Sequence, residues 1–272
     1  MKHMVGRTRR GRQKQKQLGN HQRSWIWGRN AVMETLRDGK WPVLELVLSE
    51  NLDEDLITYC QRRAVELEIT HSVQPAGRLT ALCRSAEHQG LLARMASFPY
   101  SSEESVFASL TEQALIVVLD SIQDPYNFGA MIRTFAAFGV DAVFIGDRDQ
   151  VGINSLVARA SAGAVSMIPI VRVPDLKRLM KKLKQAGVLC FVASEKSELD
   201  YAKCDYCKAT AFVIGNEGRG VSHEVAELCD DKISIPLSRS IDSLNAAVAA
   251  GILVSEVNRQ RHQQKTESCP LN

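Results

Sequence analysis

From Trp25 onward the apolar positions repeat with two periods in turn. In WGRNAVMETLRDG, Ala31, Val32 and Leu36 share one side of a helix that Gly39 closes and Pro42 follows. Residues 43–50 (VLELVLSE) alternate as a strand, 53–68 form a second helix with an Asp-rich first turn, 68–73 a short strand, and 76–85 a third helix. The apolar run HQGLLARMASF comes next. This αβαβαβ order predicts a small α/β domain over 24–98. Residues 99–113 then lose the pattern, gain Ser and Glu and leave room for one short helix, which marks a linker.

Beyond the linker the alternation is regular. Strands are predicted at 115–120, 142–146, 167–173, 188–193, 211–215 and 232–236, and helices at 128–138, 152–163, 175–186, 222–228 and 243–261. The order describes a mostly parallel sheet covered on both faces, filling a second domain over 114–264. Ligands of such sheets lie outside the carboxyl ends of the strands, where residues 124–129, 215–220 and 237–245 fall. Three loops at one edge would make one site.

Charge changes this picture at one end of the chain. The net charge of +3 over 272 residues hides eight Lys or Arg and no acid within residues 1–23, leaving 26 basic against 31 acidic residues elsewhere. The segment 1–23 is therefore read as a disordered basic arm whose natural partner is a polyanion, and 265–272 as a disordered tail. No apolar run approaches the roughly 20 residues of a membrane helix, and no signal-type segment follows the basic start, so the expected location is cytoplasmic. Seven scattered cysteines argue for reduced thiols. Cys204 and Cys207 form a lone CxxC without the second ligand pair a zinc site needs, and His223-Glu224-Val225-Ala226-Glu227 misses a zinc-protease helix by its second His, so no metal is expected.

Three stretches carry candidate chemistry. In DPYNFGAMIRTFAAFG, Asn127 fits an N-cap, and Arg133 interrupts an otherwise apolar helix. A step of about 240° separates the two around a helix, so they share a face only if Asn127 lies in the non-helical cap. Arg133 is either a surface or ion-paired residue or an anion ligand, its planar fork suiting a phosphate. In VIGNEGRGVS, Gly215, Gly218 and Gly220 permit positive φ and close approach of a ligand to backbone amides, whereas Glu217 alone reads as a turn acid. The spacing GxxGxG is neither the dinucleotide fingerprint nor a P-loop. In ISIPLSRSIDSLNAAVAAG, Ser243 fits the N-cap of a long helix whose small residues allow close packing on the sheet or on a second subunit.

Together these three ordered motifs resemble the SpoU, or TrmH-like, branch of the SPOUT RNA 2'-O-ribose methyltransferases, and GRNAVMETL (28–36) with His88-Gln89-Gly90 resembles the ribosomal-protein-like RNA-binding module that precedes such domains. The resemblance implies a trefoil-knotted α/β catalytic domain that dimerises, S-adenosylmethionine as cofactor and RNA as partner, with large-subunit ribosomal RNA preferred to tRNA. It implies that Asn127, Arg133, Glu217, Ser243 and Asn245 face the reacting centre. It also implies that Gly215, Asn216, Gly218, Ile235, Leu237, Leu244 and Ala247 hold the cofactor. The chain departs from the family's pattern at Leu237, where Met is usual, and at Arg239, where a small glycine is usual. The basic side of the helix at 174–187 is read as a solvated face, with RNA contact as the alternative. Two rivals stay open: a non-catalytic RNA-binding or ribosome-assembly protein keeping the fold, and a nucleotide-binding enzyme using the glycine loop.

Overall fold

The computed structural model describes residues 24–195, 197–216, 218–238 and 243–267. The basic arm at 1–23, Glu217, Arg239 and residues 268–272 lie outside the described residues.

The amino-terminal unit is a four-stranded sheet of β1 (Trp25–Trp27), β2 (Val43–Ser49), β3 (Thr70–Gln74) and β4 (Leu91–Met95), in the order β1-β4-β2-β3. Its β4 runs antiparallel to both neighbours, and β2 pairs with β3 in parallel. Helices α1 (Arg29–Asp38), α2 (Glu54–Glu66) and α3 (Ala76–Cys83) connect the strands. The strand β1 escapes the sequence pattern because three consecutive buried residues, Trp-Ile-Trp, are too few to show a period.

The second unit follows a short helix, α4 (Glu103–Ala108), and is a six-stranded sheet: β5 (Leu115–Asp120), β6 (Ala142–Gly146), β7 (Ile170–Val173), β8 (Leu189–Ala193), β9 (Thr210–Gly215) and β10 (Asp231–Ile233). The order is β10-β8-β9-β5-β6-β7, and every pairing is parallel. Helices α5 (Pro125–Ala137), α6 (Ser155–Ala160), α7 (Leu176–Gln185), α8 (His223–Ala226) and α9 (Ala246–Glu267) complete it. Both faces of the sheet are covered. Leu115, Val117 and Leu119 of β5 join a cluster with Phe128, Phe135 and Leu253, while the intervening Ile116 and Val118 join Leu179, Met180 and Leu183 of α7. That two-sided burial is why β5, β6 and β9 read as unbroken apolar runs rather than alternating ones.

Several boundaries differ from the sequence pattern for local reasons. The helix expected at 152–163 begins when the Asn154 side chain accepts from the amides of Leu156 and Val157, and it ends at Ala160. Ala162 and Gly163 then take positive φ before a 3-10 turn at Ala164–Ser166. The strand expected from 167 starts only at Ile170, after Pro169, which has no amide to donate to a ladder. The strand expected to reach 236 ends at Ile233, and Ser234 pairs outward with the 199–201 segment through its amide to Leu199 O (2.8 Å). The last helix starts at Ala246 instead of 243 and continues to Glu267, into the expected tail, through a Gln- and Lys-containing stretch of good helix formers.

The basic face of α7 is largely spoken for. Arg178 and Lys182 both bind the buried carboxylate of Glu103 on α4, Lys177 pairs with Glu224 of α8, and Lys184 pairs with Asp230 before β10. Those charges remain on the solvated face the sequence suggested, and their ion pairs fasten α7 to three neighbouring segments. The CxxC loop is likewise occupied by packing. Its Tyr206 is fully buried, donates its hydroxyl to Tyr201 O (2.7 Å) and donates its amide to Gln260 Oε1 of α9 (3.0 Å).

The two units share one apolar core in which Ile26, Leu36 and Leu46 are continuous with Leu119 and Phe128. Gly163 marks a close approach between them: a Cβ there would lie 2.6 Å from Glu34 Cβ on α1. Segment 99–113 packs on the larger sheet, with the Ser101 amide on Ile170 O (2.8 Å) and Val106 buried.

Candidate active site

The strand order reverses between β5 and β9: β5 connects onward to β6 on one side, whereas β9 connects past β8 to β10 on the other. A crevice outside the carboxyl ends of these strands is where an open parallel sheet places a ligand. Asp120 ends β5 directly opposite Gly215, which ends β9.

Asp120 is the first site residue that sequence reasoning missed. It is 7% exposed, accepts from Ser121 Oγ (2.9 Å) with one oxygen, and accepts from the Ser222 amide (2.8 Å) with the other. The second bond ties the far end of the glycine loop back to the sheet. Its only sequence signal is a carboxylate closing the otherwise apolar LIVVLD. Asn216 secures the near end, donating to Ser121 O (3.2 Å) and accepting from the Gly218 amide (2.8 Å), while the Gly220 amide returns to Asn216 O (2.7 Å). The loop is thus a closed backbone turn held at both ends.

The three glycines, each of which permits positive φ and close approach to the backbone, serve the loop differently. Gly220 adopts positive φ, at 69°. Gly215 is needed for space, because a Cβ would fall 2.1 Å from the Gly220 carbonyl carbon, and Gly218 would meet only Asn216 Oδ1 at 3.3 Å.

The first motif opens α5, and its cap is Asp124 rather than Asn127. The Asp124 carboxylate accepts from the Tyr126 amide (2.7 Å), with Pro125 in the first turn, where a missing amide costs nothing. Asn127 therefore lies inside the helix, and Arg133 points about a third of a turn away from it. Arg133 is exposed and has no carboxylate partner among the described residues.

The third motif opens α9, and here too the expected cap is displaced. Asn245, not Ser243, accepts from the amides of Ala247 (2.9 Å) and Val248 (3.3 Å), since the helix starts only at Ala246. The same side chain donates Nδ2 to Asn127 Oδ1 at 3.1 Å, joining motifs that are 118 residues apart. Helix α9 packs on α5, with Gly251 3.5 Å from Thr134 Cγ2 in the sense of an added Cβ. Ser243 is exposed, and Leu244, Ala247 and Ile235 are half-buried. Leu237 is 40% exposed. The structure thus brings together Asn127 with Asn245 and Gly215 with Asn216, Gly218 and Asp120. It joins Arg133 to none of them directly.

The described residues contain no cluster of three His, Cys, Asp or Glu arranged to hold a metal. Burial pushes the thiols of Cys190 and Cys229 up to about 12, so neither is a nucleophile at neutral pH. The chemistry open to the site is positioning by amides, backbone and the Arg133 guanidinium. That arrangement matches what the comparisons return: residues 114–255 match the SpoU rRNA Methylase family, and residues 25–101 match the domain described as RNA 2'-O ribose methyltransferase substrate binding.

The chain belongs to the SpoU rRNA methylase family. YacO of Bacillus subtilis, assigned to the TrmH family of tRNA/rRNA methyltransferases, is 32% identical over 246 residues, covering 89% of this chain and 98% of YacO. Among solved structures, the AdoMet-bound rRNA methyltransferase of Sinorhizobium meliloti superposes with a TM-score of 0.76 at 24% identity over 86% of each chain. The TrmH/SpoU tRNA modifying enzyme of A. aeolicus is 31% identical with a TM-score of 0.52, covering 61% of this chain and 83% of its own. This SpoU-family chain is an RNA methyltransferase of α/β fold with an additional amino-terminal domain.

Proposed function

We propose that this SpoU-family enzyme methylates a ribose 2'-hydroxyl of RNA from S-adenosylmethionine, with large-subunit ribosomal RNA as its substrate. The observation that carries the reading is the 3.1 Å bond from Asn245 to Asn127, which locks the first and third motifs together. Coverage favours ribosomal RNA, since the similarity to the Sinorhizobium meliloti rRNA methyltransferase includes both domains, whereas that to the tRNA modifying enzyme spans 61% of this chain.

The residues present fit the cofactor. Gly215 leaves no side chain between the β9 edge and the loop backbone, and Ile235, Leu237 and Leu244 offer partly uncovered apolar surface for an adenosine. With Asn216, Gly218 and Ala247 they would hold it. When bound, S-adenosylmethionine supplies an electrophilic methyl group on a sulfonium, and the leaving thioether is neutral. The protein's task is then orientation of the ribose oxygen. Asn127 and Asn245 fix each other's amides, and Ser243 stands exposed beside them to meet the substrate. Arg133, an always-charged fork, holds a backbone phosphate and stabilises the developing alkoxide. The proton leaves to that phosphate, to Glu217 or to water.

The same reading includes a trefoil-knotted path through the carboxyl-terminal motifs and a homodimer, supported by the outward apolar side chains Val248 and Leu237. It also includes the domain limits read from the sequence, a phosphate-binding role for the arm at 1–23, and a cytoplasmic setting. No described helix is long and apolar enough to cross a membrane.

The test is transfer of labelled methyl from S-adenosylmethionine to unmodified total RNA, with the product mapped by resistance to alkaline cleavage. Label in large ribosomal RNA at a 2'-O position supports the reading, and label in the tRNA fraction redirects the substrate. Arg133→Ala should lose at least about 100-fold in turnover with cofactor affinity unchanged. No label at all, with RNA binding intact, returns the chain to the non-catalytic alternative.

A further inference from the structure

Between the two units lies a cleft of about 620 Å³ that Tyr126 of the first motif borders and the second and third motifs do not line. Trp27, Asn30 and Gln89 face it from the amino-terminal unit, and Tyr126, Leu156 and Arg159 from the larger one. Its volume is that of an ordinary ligand site, which runs from about 300 to 1,000 Å³.

Its floor is built around a stacked cation. The Arg159 guanidinium lies over the Trp27 ring, 3.9 Å from the centroid, and Trp27 is 5% exposed. Burial pulls the Arg159 pKa below its ordinary value against the opposing pull of Tyr126 and Glu87. The guanidinium stays charged, and its one ion pair among the described residues, to Glu87 at 3.7 Å, is loose because that carboxylate is 83% exposed. The indole Nε1 of Trp27 is buried with no hydrogen-bond partner among the described residues.

The rim differs in character. Tyr126 is 62% exposed, an unusual place for a large aromatic ring, and it immediately precedes Asn127 on α5. Gln89 sits in the left-handed region at φ 51° and accepts from the Arg29 amide with Oε1 (2.7 Å), which fixes its amide group at the mouth. Asn30 is exposed next to it. Planar aromatic surface, amides offering both donors and acceptors, and one weakly paired guanidinium are together the chemistry that takes up a nucleobase and its phosphate. An acidic peptide would use the guanidinium and leave the ring and amides idle.

We propose that this cleft seats one unpaired nucleotide of the RNA, its base stacked on Tyr126, its edge met by Gln89 and Asn30, and its phosphate met by Arg159. The ligand class rests on the RNA-methyltransferase reading above; the place and the demand for an unpaired base do not. Bases in an A-form stem cannot reach an aromatic lip, so the substrate is a loop, bulge or strand end.

The test uses the full chain and a short oligoribonucleotide of mixed sequence, presented either as a single strand or locked in a hairpin stem. The single strand should bind more tightly. Tyr126→Ala should weaken it about tenfold, or about 1.4 kcal/mol, Gln89→Ala should weaken it measurably, and Tyr126→Phe should restore it. An oligonucleotide carrying 5-iodouridine should crosslink to the peptides of Trp27 or Tyr126. Both substituted side chains are exposed, and unchanged S-adenosylmethionine binding controls for folding. Stem preferred to strand, equal affinity for all variants, or crosslinks confined elsewhere would overturn the proposal. Methylation of RNA with unchanged KM for RNA in Tyr126→Ala and Gln89→Ala would sink the cleft and leave the enzymatic reading intact. Loss of stacking-dependent binding only in the variants, in a protein that methylates no RNA, would do the reverse.

Discussion

At the scale of single residues, the glycine loop depends on one absent side chain more than on flexible angles. Any Cβ at position 215 overlaps the backbone at Gly220, so Gly215→Ala has to push the loop off the β9 edge. Overpacking of this kind costs about 1–3 kcal/mol, and here it falls on the surface assigned to the cofactor. Calorimetric titration should show S-adenosylmethionine affinity falling at least about tenfold, while Gly218→Ala, which meets only a side-chain oxygen at 3.3 Å, should bind nearly as well as wild type. Which glycine mattered was not legible from the spacing GxxGxG. Spacing reports the possibility of positive φ, whereas the contact of Gly215 with Gly220 exists only once the loop has closed on Asn216 and Asp120. The caps tell the same story: Asp124 and Asn245, not Asn127 and Ser243, accept the first amides of α5 and α9. All four residue types cap well, and the choice among them is set by where the strand before each helix lets go.

At the scale of elements, α7 shows how a strongly amphipathic helix can look like a nucleic-acid surface and be something else. Its Arg178 and Lys182 converge on Glu103, a carboxylate 9% exposed on α4, 75 and 79 residues away in sequence. Burial alone would raise the Glu103 pKa, but the hydrogen bonds from Lys182 and Arg178, with their charges, outweigh it and hold the carboxyl below its ordinary value. A lowered folded value means that the contribution to stability is complete above the unfolded pKa of about 4.3 and is lost as pH falls through the folded value. Urea unfolding should therefore show Glu103→Gln less stable than wild type at pH 7, with the gap closing as the pH drops below about 4. A gap independent of pH would mean that packing of α4, not the charge, is what Glu103 contributes. The helices themselves were readable because their apolar stripes are periodic, but the destination of a charged stripe depends on which acids the fold brings opposite it.

At the scale of the whole molecule, the amino-terminal and catalytic units are joined by close packing, and Gly163 lies at one such point. It combines φ 89° with a contact that would put a Cβ 2.6 Å from Glu34. Gly163→Val should strain the backbone and wedge α1 away, lowering the melting temperature and exposing the junction to limited proteolysis. Unchanged protection at residues 98–103 would show that the Gly163 contact does not hold the junction closed. What the sequence by itself determined was local and periodic: the alternation that makes the parallel sheet, the two-unit division of apolar pattern, the order of three motifs and hence the family. These are legible because burial on one or both faces of an element imposes a repeat that neighbouring residues carry together. The tertiary structure alone decided that Asn245 meets Asn127, that Asp120 anchors the glycine loop, that α7 pairs its surface charges with acids of neighbouring segments, and that Tyr126 and Gln89 face one cleft. Each of those contacts joins residues far apart in the chain, and their geometry is set by strand order and helix crossing, which no local pattern encodes.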